Sequence, residues 1–159
     1  MKFWFDTEFY ENGHTISLIS IGVVAEDGRE YYTETGNALY LANTTMWLRE
    51  NVLPHLTGSE LPRETIARDL IEFMGDAPEI WAYYADYDWV ALCQLHGRMI
   101  DLPKGWPMYC RDVKQLCDAL GNPKLPPQLS AEHHALTDAQ WTREAWQFLT
   151  GQASWKDQA

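Results

Sequence analysis

Three short acidic segments of this chain carry residues that could bind hard metal ions. They read Phe-Asp-Thr-Glu-Phe at residues 5–9, Tyr-Asp-Trp-Val-Ala-Leu at residues 87–92 and His-His-Ala-Leu-Thr-Asp-Ala at residues 133–139. In the first segment, Asp6 and Glu8 lie in a stretch that otherwise predicts a buried aromatic strand. Because side chains alternate along a strand, both carboxylates point to the same face. A divalent cation would remove the cost of placing them together there.

Asp88 and Asp138 would add to this charge if the fold brings them beside Asp6 and Glu8. At a separation of about 5 Å and an effective dielectric constant of about 20, each pair of like charges costs roughly 3 kcal/mol. Four carboxylates are the usual ligand set of a site for two hard metal ions, Mg²⁺ or Mn²⁺. His133, just before the last predicted helix, could accept a proton from water near neutral pH.

Each motif also has an alternative interpretation. Asp88 opens a predicted helix and could be its N-cap, a role that Asp86 fits at least as well. We assign the ligand role to Asp88, because a helix beginning there would present it at the carboxyl end of the preceding strand. A zinc site built from His133, His134 and a cysteine is a further alternative. No spacing in the chain supports it, and an all-oxygen ligand set suits magnesium or manganese better.

The elements that must position these residues follow from hydrophobic periodicity and turn signals. Strands are predicted over residues 2–9, 15–25, 29–33, 79–84 and 108–110, and helices over residues 45–52, 62–74, 87–96, 113–120 (capped by Asp112) and 135–149. This order predicts an α/β fold, a mixed β-sheet with helices packed on its faces. The 159 residues favour one domain, placed at residues 1–150, with a loose tail over residues 151–159.

Composition limits the partners and the compartment. The net charge of −11 argues against a protein that holds long nucleic acid electrostatically, but it allows short contacts with single strands. Three cysteines without CxxC spacing predict buried free thiols in a reducing cytosol. The first residues lack the layout of a signal peptide, and the apolar runs are too short for a membrane span. We therefore expect a cytoplasmic protein without membrane contact.

Taken together and in this order, the three motifs resemble those of the DEDDh exonuclease superfamily, which has a ribonuclease-H-like fold. The spacing from His133 to Asp138 resembles the DEDDh branch, because the sister branch has tyrosine where this chain has His134. Residues 83–95 and the compact size are most similar to the bacterial ribonuclease AS group. Members of that group are dimeric 3′–5′ exoribonucleases with a preference for adenylate-containing RNA.

The resemblance implies a sheet of three antiparallel strands followed by parallel strands and flanked by α-helices. It also implies two-metal hydrolysis of single-stranded RNA from the 3′ end to nucleoside 5′-monophosphates, with His133 as general base, in a homodimer. The implied metal ligands are the four acidic residues Asp6, Glu8, Asp88 and Asp138. Thr7 and Phe9, which flank Glu8, are candidate substrate contacts.

The chain departs from the family pattern in the second motif, and two other functions stay open. Tyr84 replaces the asparagine that is usual before the motif's aspartate, and Asp86 adds an acid beside Asp88.

A DNA-directed 3′–5′ exonuclease of the proofreading kind would carry the same catalytic residues, because the distinction lies in contacts to the ribose 2′-hydroxyl. A catalytically silent nucleotide- or partner-binding module is the second alternative. The presence of all four acids and the histidine argues against it.

Overall fold

A computed structural model describes residues 1–151 and contains a mixed six-stranded β-sheet with helices on both faces. The strands are β1 (Lys2–Glu11), β2 (Ile16–Ala25), β3 (Glu30–Thr35), β4 (Glu60–Leu61), β5 (Glu79–Ala82) and β6 (Arg111–Asp112). Their order in the sheet is β4-β3-β2-β1-β5-β6. β1 to β3 pair antiparallel, whereas β4, β5 and β6 join in parallel. The predicted mixed α/β sheet is confirmed, and it is consistent with a ribonuclease-H-like fold.

Within residues 1–151, six α-helices surround this sheet. They are α1 (Ala38–Ala42), α2 (Met46–Asn51), α3 (Arg63–Met74), α4 (Asp86–His96), α5 (Val113–Ala119) and α6 (Ala135–Leu149), with 3₁₀ turns at Leu53–His55 and Met99–Asp101. The predicted α3, α4, α5 and α6 agree with the structure to within one residue at each end. Asp112 caps α5 as predicted, since its side chain accepts hydrogen bonds from the backbone N–H groups of Lys114 and Gln115.

β1 lies in the middle of the sheet because its side chains are apolar on both faces. Phe3 and Phe5 are buried in the main core against α3 and α4. On the opposite face Trp4 packs against Trp146 of α6, with 5.1 Å between the ring centroids. This double burial explains why polar side chains in the same strand require partners.

α6 crosses the sheet very closely at Gly22 of β2. Gly22 is the register partner of Asp6 on β1 and of Tyr32 on β3. A Cβ atom on Gly22 would lie 2.3 Å from the backbone nitrogen of Leu136, a distance that no side chain permits. The first turn of α6 therefore lies directly over Gly22, between Asp6 on β1 and Tyr32 on β3.

Two strands have other bounds in the structure than those predicted from the sequence. The predicted strand over residues 79–84 stops at Ala82, because Tyr84 turns into the left-handed region with a φ of 55°. The last strand was predicted over residues 108–110, and this is wrong. β6 forms at Arg111–Asp112, where parallel pairing with Trp81 and Ala82 of β5 fixes its position. The short elements α1 and β4 were not predicted.

The remaining structural predictions concern the thiols, the termini and the membrane. Cys93 and Cys117 are buried, Cys110 is half-buried, and all three are free thiols as predicted. From residue 152 onward, the predicted tail lies outside the described residues. Over the described part of the chain, no helix combines the length and the apolar character that a membrane crossing requires.

Candidate active site

β1 presents Asp6 and Glu8 on one face of the sheet, as their spacing predicts. Across β2, Asp6 lies opposite Gly22 and Glu8 opposite Ser20. A register shift follows directly after Glu8, between Glu8 and Phe9. Such a bulge changes the direction in which the next side chains project. Because Asp6 and Glu8 both precede this shift, their side chains share the face of the sheet that α6 covers.

Asp88 joins this group from the first turn of α4. Its side chain is buried, and its Oδ1 accepts hydrogen bonds from the backbone N–H of Thr7, at 2.9 Å, and from the Thr7 hydroxyl. Asp86 lies in the same turn but is exposed. Neither aspartate is the N-cap of α4, which is Ala85. The structure thus turns Asp88, and not Asp86, toward β1.

Asp138 enters from the first turn of α6. Its Oδ2 accepts a hydrogen bond from the backbone N–H of His133 at 2.9 Å, and its Oδ1 accepts one from Nε2 of Gln128 at 2.5 Å. His133 has a φ of 66°, in the left-handed region that is unfavourable for a histidine. The hydrogen bond to Asp138 helps to hold this backbone conformation.

Side chains from opposite ends of the chain meet at this place. One ligand atom each from Glu8, His133 and Asp138 lie within 4.8 Å of one another. The neighbouring histidine has a different environment. The ring of His134 stacks on that of Tyr32, with 4.5 Å between centroids and 18° between planes, and its Nδ1 accepts a hydrogen bond from the Thr137 N–H. Of the two histidines, the structure places His133 beside the carboxylates.

The electrostatics of the two β1 carboxylates reflect this crowding. Burial, with repulsion from Asp88, Glu8 and Asp138, raises the pKa of Asp6 well above its usual value. Burial raises the pKa of Glu8 to about 8, and the charges of Asp138 and Asp88 add to the effect. Without a cation, both groups are therefore hard to ionise. A bound cation would stabilise their ionised form.

At the two helix carboxylates, hydrogen bonds oppose the effect of burial on the pKa. Burial raises the pKa of Asp88 to about 7, against the lowering effect of the bonds from Thr7. Burial also raises the pKa of Asp138, against the bonds from Gln128 and His133. A cluster of desolvated carboxylates with oxygen donors fits a hard divalent cation.

Two open clefts adjoin the carboxylates. One, of about 480 Å³, is lined by Asp6, His133 and Asp138 together with Tyr83, Tyr84 and Trp141. The other, of about 470 Å³, is lined by Glu8, Phe9, Tyr10 and Trp47, among others. Trp47 is 52% exposed, and the centroid of its ring lies 4.9 Å from that of the His133 ring. Each cleft therefore combines acidic groups with aromatic walls.

The candidate substrate residues differ in their surroundings. Phe9 lines the second cleft, where its ring also stacks on that of Tyr87 at 5.7 Å. Thr7 is buried, and both of its polar donors are directed to Asp88. Sequence reasoning did not identify Gln128, Trp47 or Tyr32. Gln128 lies in a proline-rich loop without periodicity, and the two aromatic residues carry no motif.

Comparison with known proteins shows the family to which the chain belongs. A family model for the 3′–5′ exoribonuclease Rv2179c-like domain matches residues 1–150. Two curated relatives come from Mycobacterium tuberculosis: 3′–5′ exoribonuclease Rv2179c from strain ATCC 25618 / H37Rv and 3′–5′ exoribonuclease MT2234.1 from strain CDC 1551 / Oshkosh. Each is 46% identical over 147 residues, which cover 87% of this chain and 87% of the relative.

A solved structure shares the fold alone. It is the structure of the yeast NOT1 MIF4G domain co-crystallized with CAF1, in which one chain superposes with a TM-score of 0.53 at 11% identity. The match covers 94% of this chain and 80% of the other. The family model and the 46% identity to the curated relatives carry the assignment. The chain belongs to the family of 3′–5′ exoribonuclease Rv2179c-like domains and is an enzyme of the 3′–5′ exonuclease class.

Proposed function

We propose that this chain is a metal-dependent 3′–5′ exoribonuclease of the DEDDh type, most like the ribonuclease AS group. It removes nucleoside 5′-monophosphates from the 3′ ends of single-stranded RNA, including adenylate-rich ends. The observation that carries this proposal is the meeting of Glu8, His133 and Asp138 within 4.8 Å, beside Asp6 and Asp88. The names of the curated relatives support RNA as the substrate.

Four carboxylates would hold the metal ions in this proposal. They are Asp6, Glu8, Asp88 and Asp138, and their oxygen donors suit two Mg²⁺ or Mn²⁺ ions. When bound, the ions stabilise negative charge on the phosphate and lower the pKa of water. The chain's own contribution is to fix the ligands. Thr7 orients Asp88, and the Gln128 amide and the His133 N–H orient Asp138.

His133 is the general base of the proposed reaction. A neutral ring nitrogen of His133 accepts the proton of the attacking water, whose oxygen forms the new bond to phosphorus. The bond between phosphorus and the 3′ oxygen of the preceding nucleotide breaks, and that oxygen takes up a proton from solvent to become the 3′-hydroxyl of the shortened chain. Hydrolysis thus releases a 5′-monophosphate and a chain that is one nucleotide shorter. The position of His133, with Asp138 on its backbone and Trp47 against its ring, supports this role.

Single-stranded RNA fits the surface around the carboxylates better than a duplex does. With a net charge of −11, the chain offers little electrostatic attraction to a long phosphate backbone. Aromatic walls such as Trp47 and Tyr84 provide surfaces on which unpaired bases can stack. Affinity would come from this stacking together with metal contacts to phosphate.

A time course on labelled oligonucleotides tests the proposal. RNA labelled at its 5′ end and ending in adenylates is incubated with Mn²⁺ or with a chelator, and DNA of the same sequence runs in parallel. We expect a metal-dependent ladder that shortens from the 3′ end of the RNA only. Equal loss of the DNA would make the chain a general 3′–5′ exonuclease. Degradation that continues in chelator, or no degradation with Mn²⁺, would contradict the proposal.

The homodimer implied by the resemblance is part of this proposal. Sedimentation equilibrium on the purified chain measures its mass in solution. We expect the mass of two copies, and a single copy at micromolar concentration would contradict the dimer.

A further inference from the structure

Glu34 is a buried acidic side chain two strands away from β1, in the cross-strand row of Ser20 and Glu8. It lies on β3 and is only 1% exposed. Its carboxylate accepts hydrogen bonds from the Tyr32 hydroxyl at 2.8 Å, the Thr57 N–H at 2.6 Å, the Thr57 hydroxyl at 3.0 Å and the Gly58 N–H at 3.1 Å. A buried carboxylate with this many donors is a fixed point of the structure. Glu34 therefore holds the outer end of the Tyr32 ring.

Tyr32 faces the candidate active site across the sheet. Asp6, Gly22 and Tyr32 occupy one cross-strand row on β1, β2 and β3, and directly opposed residues share a face. The glycine in the middle leaves room for the start of α6. Tyr32 thus borders one side of that helix start, and Asp6 borders the other.

The ring of Tyr32 stacks on the ring of His134, the N-cap residue of α6. The centroids are 4.5 Å apart and the planes 18° apart. The hydrogen bond from the Thr137 N–H to His134 Nδ1 measures 3.4 Å and is long, so it restrains the imidazole weakly. The stack on Tyr32 therefore helps to hold the orientation of the His134 ring.

His133 depends on this restraint because it directly precedes His134 in the chain. Its left-handed backbone conformation is unfavourable. The segment would therefore relax to a conformation of lower energy unless contacts on both sides of His133 prevent it. On one side the His133 N–H donates to Asp138. On the other side the next residue is His134, whose ring stacks on that of Tyr32. The geometry points to an anchor on each side of the strained residue.

We propose that Tyr32, fixed by the buried carboxylate of Glu34, is a positioning residue for hydrolysis. Its ring holds His134 and thereby keeps His133 beside Glu8 and Asp138. The inference rests on the proposed function of His133. In this role Tyr32 acts through the ring of His134.

Three variants of the full chain test this inference. Tyr32→Leu removes the ring, Tyr32→Phe keeps the ring and removes the hydroxyl, and Tyr31→Leu is the matched control. Tyr31 neighbours Tyr32 in β3 but packs on the other face, against Phe73 of α3. kcat and KM are measured on adenylate-ended RNA with Mn²⁺, at a temperature where thermal melts show every variant folded. If Tyr32→Leu does not fold, Tyr32→Met replaces it, because methionine also lacks a ring.

We expect Tyr32→Leu to lower kcat roughly ten- to hundredfold with little change in KM, because a displacement of about 1 Å at a catalytic group has this effect. Tyr32→Phe keeps the stack but loses the hydroxyl that Glu34 fixes, so its kcat should fall between those of the wild type and Tyr32→Leu, about three- to tenfold below the wild type. Tyr31→Leu should lower the melting temperature and leave kcat unchanged. Equal kcat for Tyr32→Leu and wild type would overturn the inference. So would parallel losses in Tyr32→Leu and Tyr31→Leu, which indicate a purely structural role.

A spectroscopic measurement separates this inference from the proposed function. The NMR signals of the His133 ring should shift in Tyr32→Leu and stay in place in Tyr31→Leu. An inactive wild-type chain whose His133 signals respond in this way would overturn the proposed function and leave the positioning contact standing. Unchanged His133 signals in Tyr32→Leu would overturn the positioning contact itself.

Discussion

The backbone N–H of His133 donates to Oδ2 of Asp138 at 2.9 Å, so the proposed base and a proposed metal ligand are tied to each other. The bond closes a loop over residues 133–138 around the start of α6. It also satisfies a donor in a residue whose backbone is unfavourable, with a φ of 66°. A change to either residue is therefore transmitted to the other, and tests of their roles need variants that preserve this bond.

Replacing each histidine in turn distinguishes the two candidates for the general base. His133→Ala keeps the backbone N–H that donates to Asp138 and removes only the ring. We expect it to lose about 10²–10⁴-fold in kcat, the usual contribution of a general base, and to bind Mn²⁺ as the wild type does. His134→Phe keeps a stacking ring on Tyr32 and should lose much less. Calorimetry for Mn²⁺ and single-turnover kinetics on RNA provide both measurements. A full rate in His133→Ala would place the base elsewhere.

Gly22 should be among the positions least tolerant of a methyl group. In Gly22→Ala the new Cβ would lie 2.3 Å from the Leu136 nitrogen, so α6 must move away from the sheet. We expect a loss of about 1–3 kcal/mol in the free energy of unfolding, measured by urea titration. Because Asp138 moves with α6 relative to Asp6, we also expect roughly ten- to hundredfold lower activity.

Gly36→Ala is the control for that substitution. An added Cβ at Gly36 meets no atom within 4 Å, and its backbone lies outside the left-handed region. We expect stability within about 0.5 kcal/mol of the wild type, or a slight gain from the stiffer unfolded chain. Equal stability and activity in Gly22→Ala and Gly36→Ala would show that the close approach of α6 does not position Asp138.

The acidic cluster predicts an unusual dependence of stability on pH. Burial raises the pKa of Glu8 to about 8 and that of Asp88 to about 7, above their values in the unfolded chain. The folded state therefore keeps protons that the unfolded state releases. This contribution to stability is complete below about pH 4 and is lost as the pH rises through about 7 to 8. In chelator, we expect the melting temperature to fall from about pH 4.5 to about pH 8 and to level off above that.

Metal should reverse much of that loss. Divalent ions bind the deprotonated carboxylates of the folded state, so stabilisation by Mn²⁺ or Mg²⁺ should grow as the pH rises. Calorimetric melts at several pH values, with chelator and with excess Mn²⁺, measure both effects. A melting temperature that Mn²⁺ leaves unchanged near pH 8 would contradict a metal site at these carboxylates.

The parts of the site that local rules govern could be predicted from the sequence. Strand alternation put Asp6 and Glu8 on one face, and the strand-then-helix order put Asp88 at the start of α4. Helix periodicity located α6 and with it Asp138. Each of these inferences needs only neighbouring residues in one element.

The remaining parts depend on contacts between distant segments. Gln128 reaches Asp138 from an irregular loop, and Tyr32 meets His134 across the sheet, so neither has a periodic signal. The two-residue strand β6 and the five-residue helix α1 are too short for pattern recognition. Tertiary pairing with β5, and not local propensity, decides where β6 forms.

Asp88→Asn tests the central claim most directly, namely that the buried carboxylates form the hydrolytic centre. Both hydrogen bonds from Thr7 go to Oδ1 of Asp88, so the asparagine oxygen can accept them and the substitution removes only the charge. Asp86→Asn, at the exposed acid of the same turn, is the matched control. The measurement is the rate of nucleotide release from 5′-labelled RNA with Mn²⁺, with a thermal melt of each variant. The account predicts a loss of roughly 10²-fold or more in Asp88→Asn, with its fold intact, and a wild-type rate in Asp86→Asn. A wild-type rate in Asp88→Asn would contradict it.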